Sequence, residues 1–294
     1  MEVTARIYHF LFLFVIFNIT ILTMLLVRNK SERFRYHFFN MGLLLSGFLL
    51  HFIKLFFEPY KSNFPYSISK ITFENICAFN TIIFPFIYRS HNRYLKDYMI
   101  LIGLIGGIGS IVTPYQSTGF TIITFDVLRF YYAHLVLYLV PLLMLYTKEY
   151  KLSFKSLFYV PLTFFGVELI ILANEIILYG LGIIEGTIDN MFNPEFKYYN
   201  EYRNAHLIFG PNPGASFYRI VYEPLVPELF KTIPFGEHKG ELRYWPLIWL
   251  VIPSFIYLPL VGGILCLIFN VLLKERQQGK ITNEDDNIVK VGNI

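Results

Sequence analysis

The sequence has few charged residues, only two cysteines and none of the short motifs that bind nucleotides. Charged residues make up 16% of the chain and hydrophobic residues 55%, with a mean hydropathy of +0.49. Soluble domains carry about 25% charged residues, so this composition indicates a membrane protein. The cysteines lie in separate apolar segments, which excludes a disulfide framework and a zinc pattern.

Two further absences bear on ligands. No P-loop, dinucleotide fingerprint or kinase signature occurs, and we therefore expect no nucleotide step and no cofactor. The net charge is +4, but no basic cluster is large enough to predict a nucleic-acid partner.

Several apolar runs reach the roughly 20 residues that a helix needs to cross about 30 Å of hydrocarbon. We predict an all-α fold, a polytopic membrane bundle of about seven transmembrane helices, forming a single integral membrane domain over 1–294. A long extracytoplasmic loop or lid, 181–244, precedes the last helix, and a polar tail covers 274–294. The predicted spans are 7–27, 37–57, 71–88, 98–113, 122–146, 156–179 and 245–273.

The distribution of basic residues predicts the orientation. The segments after spans one, three, five and seven are rich in lysine and arginine, whereas the alternate segments are nearly neutral or acidic. Because basic loops stay in the cytoplasm, we expect a multi-pass protein of the cell membrane with its N-terminus outside and its C-terminus in the cytoplasm.

Two ionisable residues within apolar runs stand out, Cys77 in the third span and His134 in the fifth. Ionisable groups at membrane depth are costly and usually functional, although His134 also fits a hydrogen bond to a neighbouring helix. With a rise of 1.5 Å per residue, Cys77 lies about 10 Å inside Lys70 and His134 about 7 to 8 Å inside Arg129. The two residues are therefore predicted to share a layer.

A thiol beside an imidazole is a nucleophile and base pair, in which the imidazole removes the thiol proton and the thiolate attacks an acyl carbon. Asn80, one turn from Cys77, is a candidate hydrogen-bond donor to an oxyanion. Glu74 is a candidate for orienting the imidazole of His134. His51 is the alternative base.

The same predicted layer holds further polar residues. Asn174 and Glu175 lie in the outer half of the sixth span and are candidates for lining a substrate cavity or for satisfying buried donors. Cys266 lies among Leu, Ile and Phe and is interpreted as a core residue. The residues present no metal-binding pattern.

Four stretches resemble one family: ENICAFNTIIFPF around Cys77, YYAHLVLYLVPL around His134, YKLSFKSL, and the helix end ANEIIL. They are similar to the YwaF-type integral membrane proteins, which are related to animal transmembrane protein 164, a lipid acyltransferase. The resemblance covers roughly 40–215 and includes NAHLIFGPNPGAS. It implies a catalytic pair of Cys77 and His134, which lie 57 residues apart.

The resemblance implies acyl transfer between membrane lipids through a thioester on Cys77, with phospholipids or lysolipids as substrates. A water-poor cavity would favour transfer to a lipid over hydrolysis. Two alternatives use the same layer differently. A lipid-ester hydrolase would admit water to the same pair, and a non-catalytic transporter or lipid-binding scaffold would use the polar residues only for binding.

Overall fold

The computed structural model describes residues 2–112, 124–184, 208–211 and 220–269. Within these residues the chain is a bundle of seven long helices. They are α1 (Glu2–Arg28), α2 (beginning with Glu32–Leu44), α3 (Ile76–Arg89), α4 (Arg93–Val112), α5 (Phe125–Tyr146), α6 (Val160–Gly180) and α7 (Ile248–Phe269).

The bundle has the length and apolarity of a multi-pass membrane protein. Five stretches are long and apolar enough to cross a membrane: Ile7–Arg28, Arg93–Val112, Phe125–Tyr146, Phe154–Gly180 and Ile248–Phe269. The helix α2 continues through a wider turn at Leu45–Leu50 and two short turns to Phe56, and α3 is apolar but short. The predicted all-α membrane bundle is confirmed.

The bundle has two chemically different ends. One end, which we call the basic end, holds Arg28, Arg35, Arg89, Arg93 and Lys151 at or near helix termini. The other end, which we call the polar end, holds the chain between α2 and α3 and the start of α5. The predicted tail 274–294 lies outside the described residues, as does much of the predicted loop 181–244.

The helix α3 begins at Ile76, five residues later than the sequence prediction. Asn75 ends the preceding non-helical stretch because its side-chain Oδ1 accepts a hydrogen bond from the backbone N–H of Ala78 at 2.8 Å. With 14 residues, α3 is about 21 Å long, which is shorter than the hydrocarbon core. The chain before it is therefore irregular at membrane depth, which membrane proteins tolerate where protein or a cavity surrounds the backbone.

Two glycines let α4 and α5 approach closely. A Cβ atom at Gly103 would lie 2.5 Å from the carbonyl oxygen of Leu137, and one at Gly107 would lie 2.8 Å from Cβ of Tyr138. Gly106 and Gly109, in the same glycine-rich stretch, have no such neighbour within 4 Å. The α4–α5 contact is the most extensive helix pair of the bundle.

The described part of the segment before α7 packs on α6 and α7. Tyr222 stacks on Tyr257 with ring centroids 5.3 Å apart, and the Tyr257 hydroxyl donates to the carbonyl of Val221 at 2.8 Å. Val226, Tyr244, Trp249 and Leu250 form a small core with Phe165. The proposed lid function of this segment stays a prediction.

Candidate functional site

Cys77 is the second residue of α3, so its thiol lies at a helix N-terminus. The first backbone N–H groups of a helix have no partner within it and carry a partial positive charge. Among the described residues, the N–H groups of Ile76 and Cys77 donate no hydrogen bond. These two donors belong to the first turn of the helix that carries the sulfur.

The thiol of Cys77 has one polar neighbour. Its Sγ lies 3.8 Å from the hydroxyl oxygen of Ser110, near the end of α4. The side chain is only partly buried, whereas Ile76 and Ala78 on either side are buried. Cys77 therefore lies at the border between the packed interior and an accessible space.

His134 is buried in α5 with 8% of its surface exposed. Its Nδ1 lies 2.8 Å from the carbonyl oxygen of Phe130, and because a carbonyl can only accept, Nδ1 carries the proton. This assignment leaves Nε2 with a lone pair, and the hydrogen bond that the structure gives His134 is made by Nδ1 alone. The phenyl ring of Phe130 packs at 4.2 Å and limits the rotation of the imidazole.

Cys77 and His134 lie equally far from one end of their helices. Each is 12 residues from the basic end of its helix, at Arg89 and Tyr146, which corresponds to about 18 Å along either axis. The helix α4 connects them, because Ser110 contacts the thiol and Gly107, one turn away, packs against the His134 carbonyl. In the described residues no hydrogen bond joins Sγ to the imidazole.

Each of the two suggested helpers has a partner at one oxygen, and the predicted donor of Asn80, Nδ2, is not part of that contact. Asn80 is buried, and its Oδ1 accepts from the hydroxyl of Tyr98 at 2.8 Å, which ties α3 to α4. Glu74 forms an ion pair with Lys70 at 2.8 Å. The group that contacts the imidazole of His134 is the Phe130 carbonyl, and the polar group that contacts the thiol is the Ser110 hydroxyl.

The remaining predicted residues surround this centre at the polar end. His51 is buried at the end of α2, and its Nε2 has no hydrogen-bond partner in the described chain. Asn174 donates from Nδ2 to the hydroxyl of Thr72 at 3.0 Å, which joins α6 to the chain before α3. Glu175 is buried on the same helix. The structure places none of the three in hydrogen-bond contact with Cys77 or His134.

The sequence interpretation missed a charged cluster at the polar end, which we call the Lys54 cluster: Lys54, Tyr60, Lys70, Glu74, Asp126 and Arg129. Asp126 Oδ1 accepts from Tyr60 OH at 2.8 Å and from Arg129 at 2.6 Å. Burial raises the pKa of the Tyr60 phenol, so Tyr60 stays a donor. A signal was present, since Lys54 and Arg129 interrupt apolar stretches.

Ser110, the neighbour of the thiol, was also missed. Ser110 follows the glycine-rich stretch at helical spacing from Gly103 and Gly107. The sequence therefore predicts that the three residues share one face of α4. No local pattern indicates that this face meets Cys77, because the contact joins residues 33 apart.

An apolar groove of about 370 Å³ lies between α1, α4 and α5. Ile108, Ile111 and Val112 of α4 line it, so it runs along the helix that carries Ser110. Tyr138, one turn from His134, borders the groove and shares a hydrogen bond with Thr20. The size and lining suit a hydrocarbon chain rather than a polar ligand.

Comparison with known proteins gives one match and two negative results. The family model described as the TMEM164 family matches residues 4–264. No curated protein and no solved structure matches the chain. The matched range includes Cys77, His134 and the whole Lys54 cluster.

Proposed function

The chain belongs to the TMEM164 family, and we propose that it is a membrane lipid acyltransferase that carries the acyl group as a thioester on Cys77. The observation that supports this most is a thiol in the first turn of α3 together with a histidine on α5 whose Nδ1 is held by the Phe130 carbonyl, which leaves Nε2 to act as the base. Catalytic hydrogen bonds are often long before substrate binds, so the missing Sγ–imidazole contact does not oppose the pairing.

In the first half-reaction, Nε2 of His134 takes the proton from Sγ of Cys77, and the thiolate attacks the carbonyl carbon of a lipid ester. The carbonyl oxygen becomes an oxyanion, which the N–H groups of Ile76 and Cys77 stabilise. The C–O bond then breaks, the departing lipid oxygen takes the proton from His134, and the acyl group remains on sulfur as a thioester.

In the second half-reaction, a lipid hydroxyl gives its proton to His134 and attacks the thioester carbon. The C–S bond breaks, the thiolate regains a proton from His134, and a new ester is released. The apolar groove beside α4 suits the acyl chain during both steps. Water in place of the lipid hydroxyl would make the same pair a hydrolase.

The thioester is the testable intermediate. Purified protein incubated with a phospholipid should gain one fatty-acyl mass on the peptide that contains Cys77, and neutral hydroxylamine should remove it. Intact-protein and peptide mass spectrometry measure both. No acyl mass on Cys77, together with full lipid turnover by Cys77→Ala, would leave the non-catalytic lipid-binding scaffold as the better hypothesis for this layer.

For orientation, we propose that the basic end faces the cytoplasm and the polar end the outside, which follows the positive-inside rule. In a background where Cys77 and Cys266 are replaced by serine, Ser62→Cys at the polar end should react with an impermeant thiol reagent in intact cells. Asn92→Cys at the basic end should react only after permeabilisation. Both side chains are exposed, so a difference in their labelling would not result from burial of either position. The reverse labelling would overturn this orientation.

A further inference from the structure

The Lys54 cluster contains more positive than negative charge. Its titratable members are three cations, Lys54, Lys70 and Arg129, and two carboxylates, Glu74 and Asp126, which leaves one positive charge. Arg129 is paired with Asp126 at 2.6 Å and Lys70 with Glu74 at 2.8 Å. Lys54 is therefore the cation of this cluster without a carboxylate partner among the described residues.

Lys54 is also deeply buried, with 3% of its surface exposed. Its Nζ lies over the ring of Tyr60 at 5.3 Å, and the guanidinium of Arg129 lies over the same ring at 5.9 Å. One turn before Lys54, Nε2 of His51 is buried without a hydrogen bond in the described chain. A buried ammonium without a counter-charge is costly, and a bound anion would stabilise its charged form.

We propose that the Lys54 cluster binds the phosphodiester of a phospholipid headgroup and thereby selects glycerophospholipids for the pair at Cys77 and His134. A phosphodiester carries a single negative charge, which matches the single excess positive charge of the cluster. This assignment rests on the proposed acyl transfer, since it concerns the substrate of that same site.

The position of the cluster relative to the pair suits this substrate. Arg129 precedes His134 by five residues on α5, about 7 to 8 Å toward the polar end. Glu74, a member of the cluster, precedes Cys77 by three residues, so the cluster and the thiol are also close in sequence. A phospholipid bound with its phosphate at Lys54 would place its glycerol esters toward Cys77 and its chains toward the groove between α1, α4 and α5.

The test uses lipids that cannot donate an acyl group. Protein purified in a neutral detergent is titrated with diether phosphatidylglycerol, diether glycerol or inorganic phosphate, and binding is followed by native mass spectrometry and thermal unfolding. The diether phospholipid should bind at least about tenfold more tightly than diether glycerol, because a charge-assisted contact is worth more than a factor of ten. Inorganic phosphate should compete only weakly.

The variants separate this proposal from the catalytic one. Lys54→Met should weaken binding of the diether phospholipid roughly tenfold or more, and Lys54→Arg should retain part of it. Lys61→Met, an exposed lysine at the same end, is the matched control and should bind as the wild type does. Without lipid, Lys54→Met should unfold at a higher temperature, since it removes an unpaired buried charge.

Two results would overturn the proposal. Equal affinity for diether phospholipid and diether glycerol would remove the headgroup site, and inorganic phosphate binding as tightly as the phospholipid would assign the cluster to a soluble anion. Cys77→Ala should bind the diether phospholipid normally. Loss of acyl loading with retained phospholipid binding would therefore contradict the proposed reaction and leave the headgroup site standing.

Discussion

Each end of the bundle holds a cysteine near charged residues, but Cys266 is enclosed, whereas Cys77 is partly exposed. At the basic end, Asp97 is buried and accepts from the Tyr150 hydroxyl at 2.8 Å, while Arg93 balances its charge at 4.0 Å. Burial and this hydrogen bond raise the pKa of Tyr150, which keeps the phenol protonated. Cys266 lies close to this pair and is 1% exposed.

At the polar end, the charges of the Lys54 cluster do not balance, and Cys77 lies at a helix N-terminus with an accessible side. The basic-end pair joins helices, although Oδ2 of Asp97 has no hydrogen-bond partner among the described residues. An excess of positive charge beside a thiol and an imidazole is the pattern expected of a site that binds a ligand. The comparison therefore supports the proposal that the polar end, rather than the basic end, carries the binding and catalytic site.

The two cysteines give the sharpest contrast. Cys77→Ala should abolish acyl loading and reduce lipid turnover by roughly 10³-fold or more, as loss of a catalytic nucleophile does. Cys266→Ala should leave turnover unchanged, because its sulfur is enclosed in the core. Acyl mass and lipid turnover are measured in parallel for both variants. Equal losses in the two would show that either substitution acts only through the fold.

The second largest difference is expected between the two buried histidines of the polar end, His134 and His51. His134→Ala should slow acyl loading of Cys77 by about 10²- to 10⁴-fold, the usual contribution of a general base. His51→Ala removes a side chain that has no contact with the thiol and should slow loading far less. Single-turnover loading followed by mass spectrometry measures both rates. A larger loss in the His51 variant would make His51 the base.

Substitution of the glycines of α4 tests whether the close α4–α5 contact stabilises the bundle near Cys77 and His134. Gly107→Ala should destabilise the protein by about 1–3 kcal/mol, because the new Cβ overlaps Tyr138 and the His134 carbonyl. Gly106→Ala is the matched control, since it faces open space and should not destabilise. Thermal unfolding in detergent measures the difference. A stable Gly107→Ala variant would mean that α4 and α5 separate at no cost.

The smallest effect compares two phenols that donate to buried carboxylates. Tyr150→Phe should cost about 1–3 kcal/mol, because Asp97 is left with a buried oxygen that has lost its donor. Tyr60→Phe should cost less, since Arg129 still donates twice to Asp126. Unfolding measurements rank the two, and acyl loading should be normal in Tyr150→Phe. A greater loss of stability in Tyr60→Phe would contradict the division between the two ends.

Several features followed from the sequence alone. Apolar runs of sufficient length predicted the all-α membrane bundle. A helix of this length makes its backbone hydrogen bonds within the segment, as hydrocarbon surroundings require. The start of α3 was predicted five residues too early, and the shared depth of Cys77 and His134 stays a prediction from the helical rise. The Asn75 cap, a local signal, marks the true start.

Only the tertiary structure decided the surroundings of these two residues. Ser110 of α4 reaches Cys77 of α3, and Gly103 and Gly107 of the same helix pack against α5, which are contacts between surfaces that no local pattern specifies. The Lys54 cluster likewise combines residues from α2, the chain before α3 and the first turns of α5. Helical rise is a local property and sets depth, whereas rotation and packing of the helices depend on long-range contacts and set which polar groups meet.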